Sequence, residues 1–507
     1  MTFVAVGALA AGTLTACSTS GSSTSTTLTI AASSAPLSFD PTKDSNGNTQ
    51  TFYQELAYEP LIESNGQGKL VPGLATKWGY EAGHEGTRFD LNIRSNAKFA
   101  DGTKVTTQAV ANSLNFFIKN ATGPTAVSYA GLSAESISAS QVRITSATPN
   151  PIIADLMTPY NIGGNIISAR GLADPTGLAK ASFGAGPYIY QPSQSVAGDH
   201  YTYLPNKNYY DQSRIKFSKV VMKVIANNNS ALQALRSGQI DLFLGDSTLV
   251  SSAQAAKLTI VHAPSSFDGF FILDWKGKIV PALGNVKVRQ AINYAIDRKA
   301  IAKAVYGDYG SALDQPNTPG WDAYSKSLDS TYPYDVAKAK KLLTDAGYGS
   351  GFTMSIMYTA FEPTTTKLIQ AVADQLSKVG ITVQLKADAD FAALGADLGS
   401  KQYAGVSLTW GGQTQFVNTN ELWQKASALN PLGNEVDGLA SAFTSYAAST
   451  AADRESSAQA VQKVLVDQAV SVPVALVDTI WIASPKLKGF TLDPTGNANN
   501  PADWSIG

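Results

Sequence analysis

Residues 353–385 read TMSIMYTAFEPTTTKLIQAVADQLSKVGITVQL, and this stretch decides the fold class. The segment 353–358 has the composition of a strand, and Gly380 separates a helical pattern from a second strand at 381–385. Strand, helix and strand in direct succession are typical of parallel strands with a helix on the sheet face. We therefore expect an α/β protein. The helical pattern consists of apolar residues at helical spacing, namely Leu368, Ile369, Val372, Leu376 and Val379.

Capped helices surround this stretch. Asn285, Asp297 and Asp335 each precede a run of apolar residues at helical spacing, as N-cap residues do. Gly307 and Gly347 are placed to end the second and third of these helices. The alternation continues through much of the chain and predicts a largely parallel sheet with helices on its faces. Nearer the N-terminus we expect strands at 28–30 and 88–94, a turn at 99–105, a helix from Tyr53 that Pro60 ends, and a helix at 107–117.

Composition limits the classes of function. The chain has 507 residues, 44% hydrophobic and 15% charged, which is enough for two or more packed lobes. Lys and Arg number 38 against 39 Asp and Glu, with no basic block, so no nucleic-acid partner is expected. After the N-terminus no apolar stretch reaches the length of a membrane helix. We expect a soluble body that contacts a membrane only through its N-terminal end.

Cys17 is the only cysteine, and it follows the apolar run 3–16. This run is too short to span a bilayer and matches the apolar core of a signal peptide. Residues 14–17 (LTAC) resemble the lipobox of bacterial lipoproteins, although no Lys or Arg precedes Phe3. An ordinary secretory signal is the alternative. We therefore predict a signal peptide at 1–17 with Cys17 as the lipidation site, followed by a flexible Ser/Thr linker at 18–27.

The chain as a whole resembles the family 5 extracellular solute-binding proteins of ABC importers, the oligopeptide, dipeptide and nickel-binding group. The resemblance lies in short blocks that occur in the family's order, of which 288–298 is the strongest. They are 58–62 (YEPLI), 71–75 (VPGLA), 89–94 (FDLNIR), 98–103 (KFADGT), 186–188 (GPY), 237–241 (SGQID), 288–298 (VRQAINYAIDR) and 340–348 (KKLLTDAGY).

The resemblance implies a two-lobed, periplasmic-binding-protein-like fold, class II in its large three-subdomain form, with a hinge and an interlobe ligand cleft. The core of lobe 1 would comprise 28–62, 184–263 and 481–507. Residues 63–183 would form an insertion in lobe 1, and 264–480 would form lobe 2.

The function that the resemblance implies is that of a substrate-binding protein at the outer face of the cytoplasmic membrane. It would be a lipid-anchored monomer that captures a peptide or peptide-like solute and delivers it to an ABC permease. A sugar or other non-peptide solute, or a role as a tethered sensor, is the alternative.

Three stretches are candidates for ligand contact. The first is the loop after the first strand, with Ser33, Ser34 and Ala35. The second is the crossover 267–271, with Phe270. The third follows the strand 406–410 and contains Trp410, Gly411, Gly412, Gln413 and Thr414.

Gln413 is the informative departure from the family. Peptide-binding relatives carry an aspartate three residues after the tryptophan, and this aspartate pairs with the α-amine of the peptide. An amide supplies only a dipole where a carboxylate supplies a charge. Either the ligand lacks a free amine in that place, or another acid such as Asp268 or Asp274 supplies the charge. If the ligand is a sugar, Trp410 would be a stacking platform.

Enzymatic and metal chemistry have weak support. Residues 245–249 (GDSTL) resemble the nucleophile block of GDS-type hydrolases, but a turn explains them, and His84, His200 and His262 show no triad spacing. The scattered histidines suggest no metal site, and 44–48 with Glu55 match a calcium loop poorly. Phosphate-binding glycine patterns are absent from the sequence. We expect no catalytic residue, no metal and no cofactor.

Overall fold

A computed structural model describes residues 26–43, 49–122 and 126–507. The predicted signal peptide, Cys17, the linker up to residue 25 and the segment 44–48 lie outside the described residues. Within the described ranges, no helix combines the length and apolar character needed to cross a membrane.

The strands are short except for two that run through both halves of the molecule. They are β1 (Thr27–Ala32), β2 (Ile62–Ser64), β3 (Leu70–Pro72), β4 (Ala75–Tyr80), β5 (Arg88–Ile93), β6 (Leu132–Ser136), β7 (Gln141–Ser146), β8 (Tyr188–Tyr190), β9 (His200–Pro205), β10 (Lys219–Val224), β11 (Leu242–Gly245), β12 (Thr259–Ile272), β13 (Gly310–Ala312), β14 (Phe352–Thr359), β15 (Ile381–Asp388), β16 (Gly405–Gly411), β17 (Ser471–Ala483), β18 (Leu487–Lys488) and β19 (Ser505–Ile506).

The longer α-helices are concentrated in the second half. The α-helices are α1 (Thr49–Glu55), α2 (Thr107–Asn120), α3 (Ala126–Tyr129), α4 (Ile153–Leu156), α5 (Ala169–Ala173), α6 (Pro175–Leu178), α7 (Asn228–Arg236), α8 (Val250–Ala255), α9 (Val286–Tyr294), α10 (Arg298–Tyr306), α11 (Val336–Asp345), α12 (Pro363–Ser377), α13 (Phe391–Ser400), α14 (Gln415–Asn418), α15 (Leu439–Ala447) and α16 (Arg454–Asp467).

One large sheet carries both lobes, in the order β15-β14-β16-β12-β17-β11-β1-β10-β9-β8. The α/β class is confirmed, but the prediction of a largely parallel sheet is wrong. Parallel pairing occurs between β14 and β15, which α12 links, and between β1 and β10, which lie on either side of the insertion in the chain. Strands β12 and β17 pair antiparallel with each other and with their neighbours. The sheet is mixed because these two strands serve as connections between the lobes.

The two long strands β12 and β17 form the hinge. Each runs from the half of the sheet that contains β11 and β1 to the half that contains β16 and β14. Their pairing register shifts between Pro264 and Ser266, which marks a bulge in β12. A bulge bends a strand and interrupts its ladder of hydrogen bonds. Bending at this point would move one lobe against the other while the strands on each side of the bend stay paired.

A separate four-stranded antiparallel sheet, β4-β5-β7-β6, lies in the predicted insertion, and α2 packs on β6 and β7. Alternation along β5 buries Phe89, Leu91 and Ile93, as predicted for a strand with one face in the core. Thr106 caps α2 by accepting a hydrogen bond from the backbone of Ala109. This subdomain supplies one wall of the cleft described below.

The predicted helix that begins at Tyr53 and is ended by Pro60 is wrong in its bounds, because α1 spans Thr49–Glu55. Pro60 has no N–H and cannot complete a helical hydrogen bond to the carbonyl of Leu56. That carbonyl accepts instead from Tyr188, and the carbonyl of Ala57 accepts from Gly186. The chain therefore leaves the helix after Glu55 and runs beside β8.

Candidate ligand-binding site

A cavity of about 520 Å³ lies between the lobes. Both lobes contribute walls, and the volume suits a small-molecule ligand, since such pockets commonly measure about 300–1,000 Å³. The segments predicted for lobe 1 contribute Ser64, Leu70, Asp155, Thr158, Tyr160, Asn161, Asp493, Thr495 and Asn497 to the lining, and the segment predicted for lobe 2 contributes Gly320, Trp321, Asp322, Tyr324, Thr414, Arg454 and Glu455.

An ion pair crosses the cleft. Arg454, the first residue of α16 in lobe 2, donates from Nη2 to Oδ2 of Asp155 on α4 of lobe 1 at 2.8 Å. Its Nε lies 3.5 Å from Oδ2 of Asp322, which also accepts a hydrogen bond from the hydroxyl of Tyr446. Burial raises the pKa of Asp322, and the Arg454 charge opposes that rise. Arg454 therefore links a carboxylate of each lobe.

A second contact between the lobes involves backbone. Gly320 has φ +91°, and a Cβ built on it would lie 2.9 Å from the carbonyl carbon and oxygen of Pro494. Only glycine readily tolerates both this backbone conformation and this approach. Together with the Arg454–Asp155 pair, this contact joins the two sides of the cleft.

The cleft carries an excess of negative charge, because Asp155, Asp322, Glu455 and Asp493 face a single arginine among the lining residues. Asp493 also organises its own turn, since Oδ1 accepts hydrogen bonds from Thr495 and Asn497. Burial raises the pKa of Asp493. Such a lining is suited to a ligand that brings a cation or several hydrogen-bond donors.

The indole N–H of Trp321 is a further polar group of this wall. The nitrogen is buried and has no acceptor among the described residues. Buried donors are usually satisfied. An acceptor on a bound ligand, such as a carbonyl oxygen, would satisfy this one.

The predicted stretch from Trp410 to Thr414 lies behind the lobe 2 wall, and Thr414 reaches the cavity. Gly412 packs directly on Thr318 and Trp321, where a Cβ would approach within 2.0 Å of the Thr318 hydroxyl. The Trp410 indole donates to Oδ1 of Asn418 at 3.0 Å. Neither Trp410 nor Gly411 is among the residues that line the cavity, so their predicted ligand contact stays a prediction.

Gln413 has a carboxylate partner that the sequence did not suggest. Its Nε2 donates to Oε2 of Glu421 at 3.3 Å, and its backbone carbonyl accepts from Asn317. Burial raises the pKa of Glu421, and the hydrogen bond from Gln413 opposes that rise. Gln413 therefore lies beside an acid but is not among the residues that line the cavity.

The other predicted contacts lie outside the cavity lining. Ser33 and Ser34 are exposed, and Ala35 is partly buried against the core of lobe 1. The carbonyl of Ser34 accepts a hydrogen bond from the Tyr53 hydroxyl. Phe270 is 2% exposed within the core of lobe 2. For these four residues, ligand contact stays a prediction.

The two acids considered as replacements at Gln413 are occupied elsewhere. Asp268 accepts hydrogen bonds from Tyr306 and Thr365, and burial raises its pKa to about 6. Asp274 accepts from three successive backbone N–H groups at 278–280. Neither residue lines the cavity, and each stabilises structure within lobe 2.

The motif at 245–249 forms a turn. Gly245 ends β11, and Asp246 accepts hydrogen bonds from the backbone and hydroxyl of Thr248. The second carboxylate oxygen of Asp246 accepts from Asn228 at 2.8 Å. These contacts explain Gly-Asp-Ser as a capped turn after a strand.

The main polar residues of the cleft were missed by sequence reasoning. Asp155 and Arg454 are separated by 299 residues, and neither belongs to a family block or to a recognisable motif. The only local signal was the position of Arg454 at the start of a helix. Their proximity arises from the packing of one lobe against the other.

Comparison with known proteins decides the family. Residues 69–428 match the profile of the bacterial extracellular solute-binding proteins, family 5 Middle. The chain belongs to this family. The family and fold class predicted from the sequence are thus confirmed.

Known members resemble this solute-binding protein along nearly its whole length. Heme-binding protein A of Haemophilus influenzae is 24% identical, covering 94% of this chain and 91% of that protein. The glutathione-binding protein GsiB of Shigella dysenteriae is 25% identical, with the same coverage. The substrate binding protein CtaP of Listeria monocytogenes, an ABC transporter component, superposes with a TM-score of 0.80 at 19% identity, covering 95% of this chain and 99% of CtaP. This last likeness shows the fold.

Proposed function

We propose that this protein is the substrate-binding component of an ABC importer, capturing a peptide or peptide-like solute between its lobes. The observation that carries the proposal is the cavity of about 520 Å³ between two lobes, joined by β12 and β17 and bridged by Arg454 and Asp155. A ligand favours closure to the extent that it binds the closed form better than the open form. Residues from both lobes line this cavity, so a ligand held there would contact them together only after closure.

The relatives support a peptide-like ligand. GsiB is named for glutathione, a tripeptide, and the lining here is rich in hydrogen-bonding groups such as Trp321, Thr414 and Asn497. Extended peptides are commonly held through their main-chain polar groups. Trp410 and Gln413 would form part of the ligand site through the wall that Gly412 and Thr414 build.

Membrane attachment and partners belong to the same proposal. Lipidation at Cys17 would hold the receptor at the outer face of the cytoplasmic membrane, with the Ser/Thr segment as a tether. Tethering raises the effective concentration of the receptor at its permease. We propose a monomer that carries out no covalent chemistry.

Mass spectrometry of the ligand released from natively purified protein by mild denaturation tests the proposal. We expect a peptide or peptide-like molecule. Adding it back to the emptied protein should reduce the radius of gyration in small-angle X-ray scattering, because the lobes close. Release of a sugar would change the proposed ligand class from peptide to carbohydrate, but it would still support a receptor function. A protein that releases nothing, and that stays open with every peptide offered, would contradict the proposal.

A further inference from the structure

A small side pocket adjoins the ligand cleft in lobe 1. Its volume is about 20 Å³, which is room for about one water-sized group. Tyr160 and Asn497 line both the side pocket and the cleft, so the two spaces share a wall. Glu55, Trp481 and Ala498 are among the other lining residues. A compact terminal group of a ligand in the cleft would fit this space.

Glu55, the last residue of α1, places an unpartnered carboxylate in the side pocket. The residue is 2% exposed, and its Oε2 is buried without a hydrogen-bond partner among the described residues. Leaving a buried polar group unpaired is costly, more so when it carries charge. A buried polar group without a partner in a native pocket calls for an explanation. Binding of a complementary ligand group would provide that explanation.

The surroundings of Glu55 contain more acid than base. Glu59 accepts hydrogen bonds from Tyr209 and Tyr210, and Glu63 is paired with Arg214 at 3.1 Å. Thus two of the three neighbouring glutamates have their own donors, while Oε2 of Glu55 has none among the described residues. Arg214, and Arg94 beside Glu63, face three buried glutamates and Asp503, so the acids outnumber the arginines. A further positive charge would complement this cluster.

We propose that the side pocket binds a primary ammonium group of the ligand, with Glu55 as the residue that pairs with it. An ammonium is a compact cation with three donors, close to water in size. A guanidinium is larger and planar, so it suits such a small space less well. This inference rests on the proposed function and deepens it, because it assigns the ligand class as amine-bearing. It also provides a carboxylate for the ligand amine on lobe 1. On lobe 2, Gln413 stands at the position where peptide-binding relatives carry an aspartate.

Two matched pairs of peptides distinguish the source of the amine. Trialanine and its N-acetyl form test the α-amine. N-acetyl-Ala-Lys-Ala and its Nε-acetyl-lysine form test a side-chain amine. Isothermal titration of the full chain, emptied of ligand, should show at least tenfold tighter binding of the amine-bearing member of one pair, since charge-assisted hydrogen bonds are the strong ones.

Two variants assign that preference to the pocket. Glu55→Gln removes the charge with little change of shape, and Ala498→Val fills the space while keeping Glu55. Each should abolish the tenfold preference. Ala498→Val keeps the inference testable if Glu55→Gln fails to fold. Glu435→Gln, an exposed glutamate paired with Lys425, is the matched control and should leave the preference unchanged.

Proton release provides an independent readout. Burial, with Glu63 as the next cause, raises the pKa of Glu55 well above its usual value; Arg214 opposes the rise, while Asp503 and Glu59 add to it. Tyr160 also faces Glu55 across the pocket. An arriving ammonium favours the ionised carboxylate, so binding should release protons. Titrations in two buffers of different ionisation enthalpy measure this release, which Glu55→Gln should remove.

Several results would overturn the inference. One is equal binding of the two members within both peptide pairs, and another is binding of none of the four peptides. A third is a preference for the amine-bearing peptide that survives in Glu55→Gln and Ala498→Val. Loss of the preference in Glu421→Gln alone would assign the amine to the Gln413 region instead. The receptor function is judged separately, because the released ligand and the closure seen by scattering do not depend on an amine.

Discussion

The Arg298 guanidinium is almost fully buried under the crossover strand β17. Its Nε lies 2.9 Å from Oδ1 of Asp314, and both side chains are less than a tenth exposed. The same guanidinium donates to the carbonyls of Pro473 and Asn293, each at 2.8 Å. One side chain thus connects the start of α10 to a strand of the hinge. Its charge is tolerated because each neighbour is an acceptor.

Replacing Asp314 by Asn should therefore destabilise the protein strongly. Removing one member of a buried ion pair leaves the other charge uncompensated and commonly costs about 3–5 kcal/mol. Urea unfolding should show this loss in the free energy of unfolding. The exposed pair Lys341–Asp345 supplies the control, and Asp345→Asn should change stability little. Equal effects of the two substitutions would contradict this account of Arg298.

At the scale of elements, the two ends of helix α11 are determined by residues next to them in the sequence. Oδ1 of Asp335 accepts a hydrogen bond from the backbone N–H of Lys338 at 2.8 Å. Gly347, with φ +86°, follows the end of the helix. Ala339 and Leu343 form its buried face. The cap, the apolar spacing and the glycine all agree, so the sequence predicted this helix correctly.

Substitution of the cap tests this local origin. Asp335→Ala removes the acceptor and should lower the free energy of unfolding by about 1 kcal/mol. Asp335→Asn keeps an acceptor oxygen and should retain most of that stability. Urea denaturation of the three proteins compares them. An alanine variant as stable as the wild type would mean that tertiary packing alone maintains the start of α11.

For the whole molecule, the balance between open and closed forms depends on contacts across the cleft. The Arg454–Asp155 pair is about a quarter exposed on each side, so water screens it only partly. Gly320 against Pro494 adds close backbone packing. If the hinge strands bend, we expect these interlobe contacts to favour the closed form over the open form.

Arg454→Met should shift the ligand-free protein toward the open form. A hydrogen bond to a charged group contributes about 1.5–3 kcal/mol, or about tenfold or more in the ratio of closed to open molecules. Small-angle scattering should record a larger radius of gyration. Arg88→Met, which removes an exposed pair with Glu81 within the insertion, should leave it unchanged. A closed Arg454→Met protein would show that other contacts determine closure.

Sequence reasoning predicted an element correctly where local spacing and capping residues determine it. The strands β5, β14 and β15 and the capped helices α9, α10 and α11 were predicted from spacing and caps. The mixed sheet was not, because the direction of β12 and β17 depends on which lobe each end joins. The helix α1 was misplaced, because Gly186 and Tyr188 bind the carbonyls that a longer helix would have used.

By itself, the sequence determined the α/β class, the family and the departure at Gln413, since each is written in residue types at fixed spacing. Tertiary structure alone decided which polar groups meet in the cleft. Asp155 and Arg454 meet across the lobes, and Glu55 faces a pocket formed with Tyr160 and Ala498. The physical reason is that charge pairing and burial act through space at a few ångströms, whereas spacing along the chain records only local geometry.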